Sequence, residues 1–261
     1  MDYWEDAARR WGNLGAPLRP DAEVVSAYRR HIPAPFAGTL MLGVTPEITA
    51  LCRPVIAVDS SAAMIRTVWP GDRPERRAIL GDWRDIPAAD ASFANCIGDG
   101  SPNVFAFPAD MEAFFGEVRR VLAPGGRAVF RVFCAPDEAV TCREVFARAE
   151  RREIPSFHSF KFQVAGAIAR EAANPNVEVA HVRDTILNAY GSCGSLAERG
   201  GWPAKEVETL DYYRGSKAFI AYPRQGDFIA IAGAQFARAV IAPSGSYEGA
   251  SLFPMLVLDR H

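Results

Sequence analysis

The 261-residue sequence lacks several features that would assign a protein to a class at once. No apolar run approaches the roughly 20 residues that a membrane-spanning helix needs. The opening stretch MDYWEDAARRW is charged and has no apolar centre, so we expect no signal peptide. No block of basic residues stands out, and the formal net charge is only −2. We therefore expect neither a membrane nor a nucleic acid as partner.

Cysteine and histidine are few and follow no ligand spacing. No two cysteines form a CxxC pair and their number is odd, which favours a reducing cytoplasmic location over a disulfide framework. The histidines are scattered, so we expect no metal site. The residues concerned are Cys52, Cys96, Cys134, Cys142, Cys193, His31, His158, His181 and His261.

Apolar strand-like runs alternate with helical patterns as far as residue 134. The first run is Thr39 to Val44, and the second is the β-branched run Val55 to Val58. Further strands are predicted at 78–80, 93–97 and 128–133, and an amphipathic helix at 111–122. A helix at 227–236 and two strands at 239–242 and 252–258 end the chain. This alternation predicts a doubly wound α/β fold with a mostly parallel sheet.

The pattern changes on either side of this core. Residues 1–38, the N-terminal arm, carry two helical stretches with aromatic residues. The arm either covers the mouth of a cofactor pocket or anchors itself to the core. Residues 135–222, the insertion, show helical stretches but no clear strand, and we expect a helical lid over the strand ends. The predicted core therefore consists of residues 39–134 and 223–261.

Acidic residues stand where successive strands are predicted to end. Asp59 closes the second strand, Asp82 follows the third and Asp99 ends the fourth. Ligand crevices in doubly wound sheets form at the carboxyl ends of the strands, and an acid after the second strand can bind both ribose hydroxyls. The alternatives are that Asp59 caps the following helix and that the other two acids bond to their own turns.

Four sequence pieces follow one another in a recognisable order. They are MLGVTPE after the first strand, AVD at the end of the second, GDW after the third and EVRRVLAPGGRAVFRVF leading into the fifth. In this order they resemble the class I S-adenosylmethionine-dependent methyltransferases. The resemblance implies a Rossmann-like sheet of seven strands, mostly parallel with an antiparallel closing strand. It also implies S-adenosylmethionine as cofactor and methyl transfer as activity.

The resemblance implies a role for each residue at these strand ends. Asp59 would accept hydrogen bonds from the ribose, and Met64 would pack against the adenine unless it belongs only to the core. Asp82 would accept from the adenine amino group, with Trp83 beside the ring. The implied cofactor-binding set is Gly43, Thr45, Asp59, Ser60, Met64, Asp82, Trp83, Asp99, Gly100 and Ser101, the last three flanking the methionyl part and the methyl group.

The turn after the first strand departs from the family pattern of an acid followed by Gly-x-Gly-x-Gly. Met41 stands at the acidic position, and Gly43 keeps the first glycine. Thr45 and Glu47 replace the other two glycines. A side chain or backbone NH at Thr45 or Glu47 is therefore a candidate for holding the methionine end of the cofactor.

No sequence motif identifies the methyl acceptor. Methyl transfer from a sulfonium needs alignment above all, and oxygen or carbon acceptors often need a base as well. The catalytic candidates are His158 and Asp99, and the substrate-binding candidates are Asn103, His158, Tyr190 and Tyr212. His158 could equally be a packed residue of its aromatic stretch SFHSFKF. The absence of an Asn-Pro-Pro-Tyr motif favours a small-molecule acceptor, and a homodimer is a further expectation.

Two other functions compete with methyl transfer. An NAD-dependent dehydrogenase also uses an acid after the second strand, but the sequence has no GxGxxG turn and carries the GDW and VLAPGG pieces instead. The second alternative is a degenerate methyltransferase fold that binds or regulates without catalysis. The altered glycine turn is the observation that supports it.

Overall fold

The computed structural model describes residues 3–32 and 38–261, so residues 1, 2 and 33–37 of the predicted arm lie outside the described residues. A seven-stranded sheet lies at the centre, and two further strands form a separate pair. The strands are β1 (Thr39–Leu42), β2 (Val55–Asp59), β3 (Arg76–Leu80), β4 (Phe93–Asp99), β5 (Leu122–Arg131), β6 (Asn176–Glu178), β7 (Phe219–Ala221), β8 (Arg238–Ala242) and β9 (Met255–Asp259).

The order of the strands confirms the predicted fold class. The sheet runs β3-β2-β1-β4-β5-β9-β8, with the first five strands parallel and β9 antiparallel to both of its neighbours. Leu42 pairs with Val58 on one side and with Gly98 on the other. Strands β1, β2 and β4 therefore end at the same edge of the sheet, where the predicted site residues stand.

Helices cover the sheet and build most of the insertion. Asp21 caps the second helix by accepting from the Val24 amide at 3.0 Å. No helix in the described ranges has the length and apolarity required to cross a bilayer. The helices are α1 (Tyr3–Arg9), α2 (Ala22–His31), α3 (Pro46–Thr49), α4 (Ala62–Thr67), α5 (Ala109–Val121), α6 (Cys142–Glu150), α7 (Phe157–Glu171), α8 (Val179–Tyr190), α9 (Cys193–Gly200), α10 (Ala204–Val207) and α11 (Gln225–Gly233).

Helix α5 shows why the core assembles as the sequence pattern indicates. Its large apolar side chains recur at helical spacing and are buried. Phe114 and Phe115 pack against Phe130 of β5, with ring centroids 5.7 and 6.5 Å apart. Aromatic pairs at such distances add to the free energy that burial provides. This face of the sheet is therefore a packed core, and the site must lie at the strand ends.

Strand β5 and the insertion differ from the sequence prediction. Strand β5 begins at Leu122 because that residue pairs with Phe93 before a register shift, so the Pro-Gly-Gly stretch lies within the strand. The expectation that residues 135–222 hold no strand was wrong at β6 and β7. These two strands pair with each other, and the Asn176 amide also fixes the first of them to the backbone of Phe107, at 2.8 and 3.0 Å.

The insertion has its own apolar cluster. Phe160 and Trp202 lie 4.8 Å apart between ring centroids, and the Trp202 indole donates to the carbonyl of Ile154 at 2.9 Å. Tyr190 and Tyr212, which the sequence analysis named as substrate-binding candidates, belong to this cluster. The division into arm, core and insertion stays a prediction.

Tyr28 of α2 joins the ends of two strands. Its hydroxyl donates to the carbonyl of Gly98 at 2.7 Å and accepts from the amide of Arg131 at 3.1 Å, and the residue is fully buried. Without this hydroxyl, the carbonyl of Gly98 and the amide of Arg131 would each lose this buried hydrogen bond. The strand ends thus depend on a single phenol from the arm.

We expect Tyr28→Phe to lower the free energy of unfolding by about 1–3 kcal/mol, because it leaves a buried donor and acceptor without partners. Chemical denaturation measures this loss. Tyr190→Phe is the control, since the Tyr190 hydroxyl makes only a 3.5 Å contact with a carbonyl. Equal losses in the two variants would contradict the role given to Tyr28.

Candidate active site

Two neighbouring cavities open at the carboxyl edge of β1, β2 and β4. The inner cavity, of about 100 Å³, reaches from Gly43 to Phe133, and the outer cavity, of about 320 Å³, lies beside Asp82. Asp59 and Trp83 line both, so the two form one crevice. The crevice stands at the place that strand topology predicts for a ligand.

The turn after β1 brings the backbone to the cavity wall. Gly43 has φ +101°, a conformation that residues with a Cβ rarely adopt. Its amide donates to the carbonyl of Val58 at 2.8 Å, and the indole of Trp83 donates to the same oxygen at 2.7 Å. Trp83 is therefore fixed against the turn, with its N–H already engaged.

Asp59 is the most unusual charge of the crevice. It is 7% exposed, and burial raises its pKa to about 6. Its Oδ1 accepts the amide of Ser61 at 2.8 Å, while the Ser61 hydroxyl caps α4 by accepting the amide of Met64 at 3.3 Å. Ser61, and not Asp59, is the N-cap. No described residue donates to Oδ2 of Asp59, so that oxygen is available for a ligand.

The neighbours of Asp59 divide between the two cavities. Ser60 lines the outer cavity, and Met64 and Thr45 line the inner one. Met64 also packs in an apolar cluster with Ile48 and Val68. The side chain of Met64 thus serves the core and the cavity wall together.

Asp82 lines the outer cavity but is engaged with its own turn. Its carboxylate forms a bidentate pair with Arg84, at 3.2 and 2.9 Å, and also accepts the Arg84 amide at 2.9 Å. The Arg84 side chain and amide hold the pKa of Asp82 below its ordinary value. Asp82 is thus bonded within its own turn, as the second alternative expected, and its cofactor role stays a prediction.

Asp99 lines the inner cavity as half of a buried ion pair. Arg131 donates to its two carboxylate oxygens at 2.6 and 2.8 Å, and to the carbonyls of Pro17 and Leu18 at 2.6 and 3.1 Å. Burial opposes the charge of Arg131, but the adjacent carboxylate raises its pKa, so the guanidinium stays charged. The pair ties the arm to the floor of the cavity.

The stretch after β4 is held by hydrogen bonds to backbone. The Ser101 hydroxyl donates to the carbonyl of Leu42 at 2.8 Å, and Gly100 has φ +68°. The Asn103 amide nitrogen donates to the carbonyls of Phe133 and Ala221 at 2.7 and 2.6 Å, and its oxygen accepts the Phe133 amide at 3.0 Å. All three residues line the inner cavity, with the Asn103 amide fully used.

Three predicted acceptor-side residues do not line either cavity. His158 is fully buried beside Gly15, and burial lowers its pKa to about 3. Tyr190 stacks edge-on against Phe160, and the Tyr212 ring lies 5.4 Å beneath the guanidinium of Arg10. The structure thus places these side chains in the packing of the insertion, whereas Asn103 and the cofactor set surround the crevice.

Sequence reasoning offered the arm as a possible cover of the cofactor pocket but did not identify how it is attached there. The inner cavity is lined from the arm by Trp4, Ala7, Trp11, Leu14 and Leu18, and from beyond β4 by Phe133 and Ile220. The available signal was Arg131, a charged residue within the apolar strand AVFRVF. A buried arginine requires partners, and its partners are the arm and Asp99.

We expect Arg131→Met to lower the free energy of unfolding by about 3–5 kcal/mol, because it leaves the Asp99 charge buried without its partner. Urea denaturation measures the change. Adding Asp99→Asn to this variant should recover part of the loss, whereas Arg199→Met, in an exposed ion pair with Glu150, should cost far less. Losses that simply add in the double variant would contradict the assignment.

Comparison with known proteins identifies a domain within the core. A family profile described as a methyltransferase domain matches residues 41–130, from β1 to β5, and includes Gly43, Asp59, Asp82 and Asp99. No group of three or more His, Cys, Asp or Glu side chains in the described ranges could hold a metal ion.

Solved structures share the fold over nearly the whole chain. A Rhodobacter sphaeroides protein provisionally assigned as a zinc-dependent alcohol dehydrogenase is 13% identical, with 100% of this chain and 99% of that chain covered and a TM-score of 0.57. A Thermotoga maritima methyltransferase described as a possible histamine N-methyltransferase is 13% identical, with 99% of each chain covered and a TM-score of 0.54. A Methanosarcina mazei methyltransferase is 11% identical, with 90% and 96% covered and a TM-score of 0.50.

At these identities the solved structures establish the fold alone. The profile spans the strands whose ends carry the crevice. Residues 41–130 thus match a methyltransferase domain, in agreement with the resemblance to the class I S-adenosylmethionine-dependent methyltransferases, whose cofactor is S-adenosylmethionine.

Proposed function

We propose that the protein transfers the methyl group of S-adenosylmethionine to a small-molecule acceptor, in a pocket closed by the arm and by the insertion. The observation that carries the proposal is the inner cavity itself. Its walls combine core residues such as Gly43 and Asp99 with the arm residues Trp11 and Leu14 and with Ile220, next to the insertion strand β6. A covered, mostly apolar chamber of this kind suits a small molecule better than a polymer.

The crevice fits the cofactor at its nucleoside end. Asp59 keeps Oδ2 free of donors from the described residues, as a ribose-binding acid requires. Met64 and Trp83 present apolar surface beside it, with the outer cavity adjoining. When bound, S-adenosylmethionine supplies an electrophilic methyl group on a sulfonium. The chain's own task is then to orient the acceptor and exclude water.

The charges around the inner cavity favour alignment over proton removal. Asp99 lines the inner cavity, but both of its carboxylate oxygens accept hydrogen bonds from Arg131. Using Asp99 as a base would require breaking a buried ion pair. We therefore propose an acceptor that needs no base from the protein. It is either a neutral amine or a group that is already deprotonated when it binds.

The proposed acceptor class follows from chemistry and not from any relative. The net charge of −2 and the apolar lining favour a small molecule over a nucleic acid, and the homodimer and the cytoplasmic location stay predictions. Histamine is named for the Thermotoga protein alone, and this chain's acceptor is proposed only as a small molecule.

Calorimetry separates the competing functions. We expect S-adenosylhomocysteine to bind and NAD not to bind, because the turn after β1 lacks the second and third glycines that a dinucleotide needs. Binding of the methyltransferase ligand with no turnover on a panel of small amines, phenols and acids would favour a non-catalytic role. Binding of NAD alone would overturn the proposal.

We expect Asp59→Ala to weaken S-adenosylhomocysteine binding about tenfold or more, because a hydrogen bond to a charged group contributes roughly 1.5–3 kcal/mol. Isothermal titration measures the dissociation constant. Asp82→Ala is the matched control in the same crevice, since its carboxylate is already paired with Arg84. A larger effect at Asp82 than at Asp59 would reverse the assignment.

Affinity should also depend on pH through Asp59. Because its pKa is raised to about 6, the carboxyl is protonated below that pH and binds the ribose less well, so affinity should fall as pH falls through 6. In the ligand-free protein, the free energy of unfolding depends on pH in the opposite direction. The folded state holds this proton more tightly than the unfolded chain, so Asp59 lowers stability as pH rises from 4 to 6.

Binding titrations between about pH 5 and 8 and denaturation curves between about pH 4 and 7 test both signs. Asp59→Asn should flatten each dependence in its range, because the amide does not titrate. An undiminished pH dependence of binding in this variant would assign the effect to another group.

A further inference from the structure

The turn after β1 replaces two glycines with side chains. Thr45 lines the inner cavity, and Glu47 follows in the short helix α3. The family's acidic position is occupied by Met41, which is fully buried. The chain has therefore lost the usual groups for the methionyl end of the cofactor and must hold that end differently.

Glu47 forms an ion pair with Arg19 of the arm, and each of the two side chains keeps one polar atom without a strong hydrogen bond. Nε and Nη2 of Arg19 both donate to the same oxygen, Oε1, with the Nε contact at 2.7 Å. Oε2 of Glu47 is buried and has no hydrogen-bond partner among the described residues. Nη1 of Arg19 has only the carbonyl of Trp11, at 3.5 Å. One anionic oxygen and one cationic nitrogen thus remain without a strong partner.

Neither Arg19 nor Glu47 lines the inner cavity itself, but both lie next to residues that do. The guanidinium of Arg19 stands 5.5 Å from the ring centroid of Trp11, which lines that cavity. The pKa of Asp99 is raised first by burial and further by the charge of Glu47, which places Glu47 within electrostatic reach of the cavity floor. Thr45 connects Glu47 to the same wall.

The two unused groups match a zwitterion. The methionyl end of the cofactor carries an ammonium, which needs an acceptor, and a carboxylate, which needs a donor. We propose that Glu47 Oε2 binds the α-amino group and Arg19 binds the α-carboxylate of the cofactor, in place of the missing acid and glycines. The proposal rests on the cofactor site described above and is independent of the acceptor.

This assignment divides the cofactor's amino-acid end between two parts of the chain. Glu47 belongs to the core, whereas Arg19 belongs to the arm, whose carbonyls at Pro17 and Leu18 are held by Arg131. A ligand that has the amino-acid end should therefore add to the attachment of the arm, and a ligand without it should not.

The test compares ligands that differ only at that end. S-adenosylhomocysteine carries the amino-acid end, and 5′-methylthioadenosine lacks it. We expect Glu47→Gln and Arg19→Met each to weaken S-adenosylhomocysteine binding about tenfold or more, as loss of a charged hydrogen bond implies. Binding of 5′-methylthioadenosine should be unchanged. Isothermal titration with the full chain gives both constants.

Three controls make the outcome decisive. Asp59→Asn should weaken both ligands, because the ribose is common to them. Glu150→Gln, in the exposed pair with Arg199, should weaken neither. Arg19→Lys should recover part of the S-adenosylhomocysteine affinity, because it restores the positive charge.

A ligand-side deletion tests the proposal without any substitution. Decarboxylated S-adenosylhomocysteine lacks the carboxylate, so the wild-type chain should bind it more weakly, and Arg19→Met should weaken it no further. The proposal is overturned if Glu47→Gln affects both ligands equally or neither, since the ion pair would then only fasten the arm. Failure of the wild-type chain to bind either adenosine ligand would instead overturn the cofactor site.

Discussion

The buried ion pair between Arg131 and Asp99 joins the parts that build the cavity. Burying two charges is unfavourable unless hydrogen bonds replace those to water, and here the guanidinium donates to a carboxylate and to two arm carbonyls. Tyr28 contacts the same strand ends through its hydroxyl. Because Arg131 of β5 donates both to Asp99 of β4 and to the arm, these three segments keep one relative position. The shape of the cavity follows from that arrangement.

Two acids at strand ends take different roles because their surroundings differ. Asp99 has a guanidinium on both oxygens and acts as a fixed counter-charge. Asp59 has only the Ser61 amide, so burial raises its pKa to about 6. A poorly solvated carboxylate gains more from ligand hydroxyls than one already paired. The same residue type at a strand end is therefore a fixed counter-charge in β4 and, in the proposed site, a binding group in β2.

Sequence could locate the crevice because the ends of parallel strands are a matter of topology, and Gly43 and Asp59 stand there in any register. It could not pair Asp99 with Arg131, since that depends on which residues of β4 and β5 face each other. Nor could it place His158 and Tyr212, because the aromatic stretches of the insertion have no period that separates a pocket from a packed cluster. The strands β6 and β7 were missed because three residues are too few to show alternation.

The Asn103 amide has a consequence for the evolution of the insertion. It binds the carbonyls of Phe133, where the chain leaves the core, and of Ala221, where the chain returns. The two ends of the insertion are thus clamped together by one side chain. The segment between them is a closed loop whose length can change at little entropic cost and without strain on the sheet. The insertion can therefore diversify while the strand ends that carry the crevice stay constant.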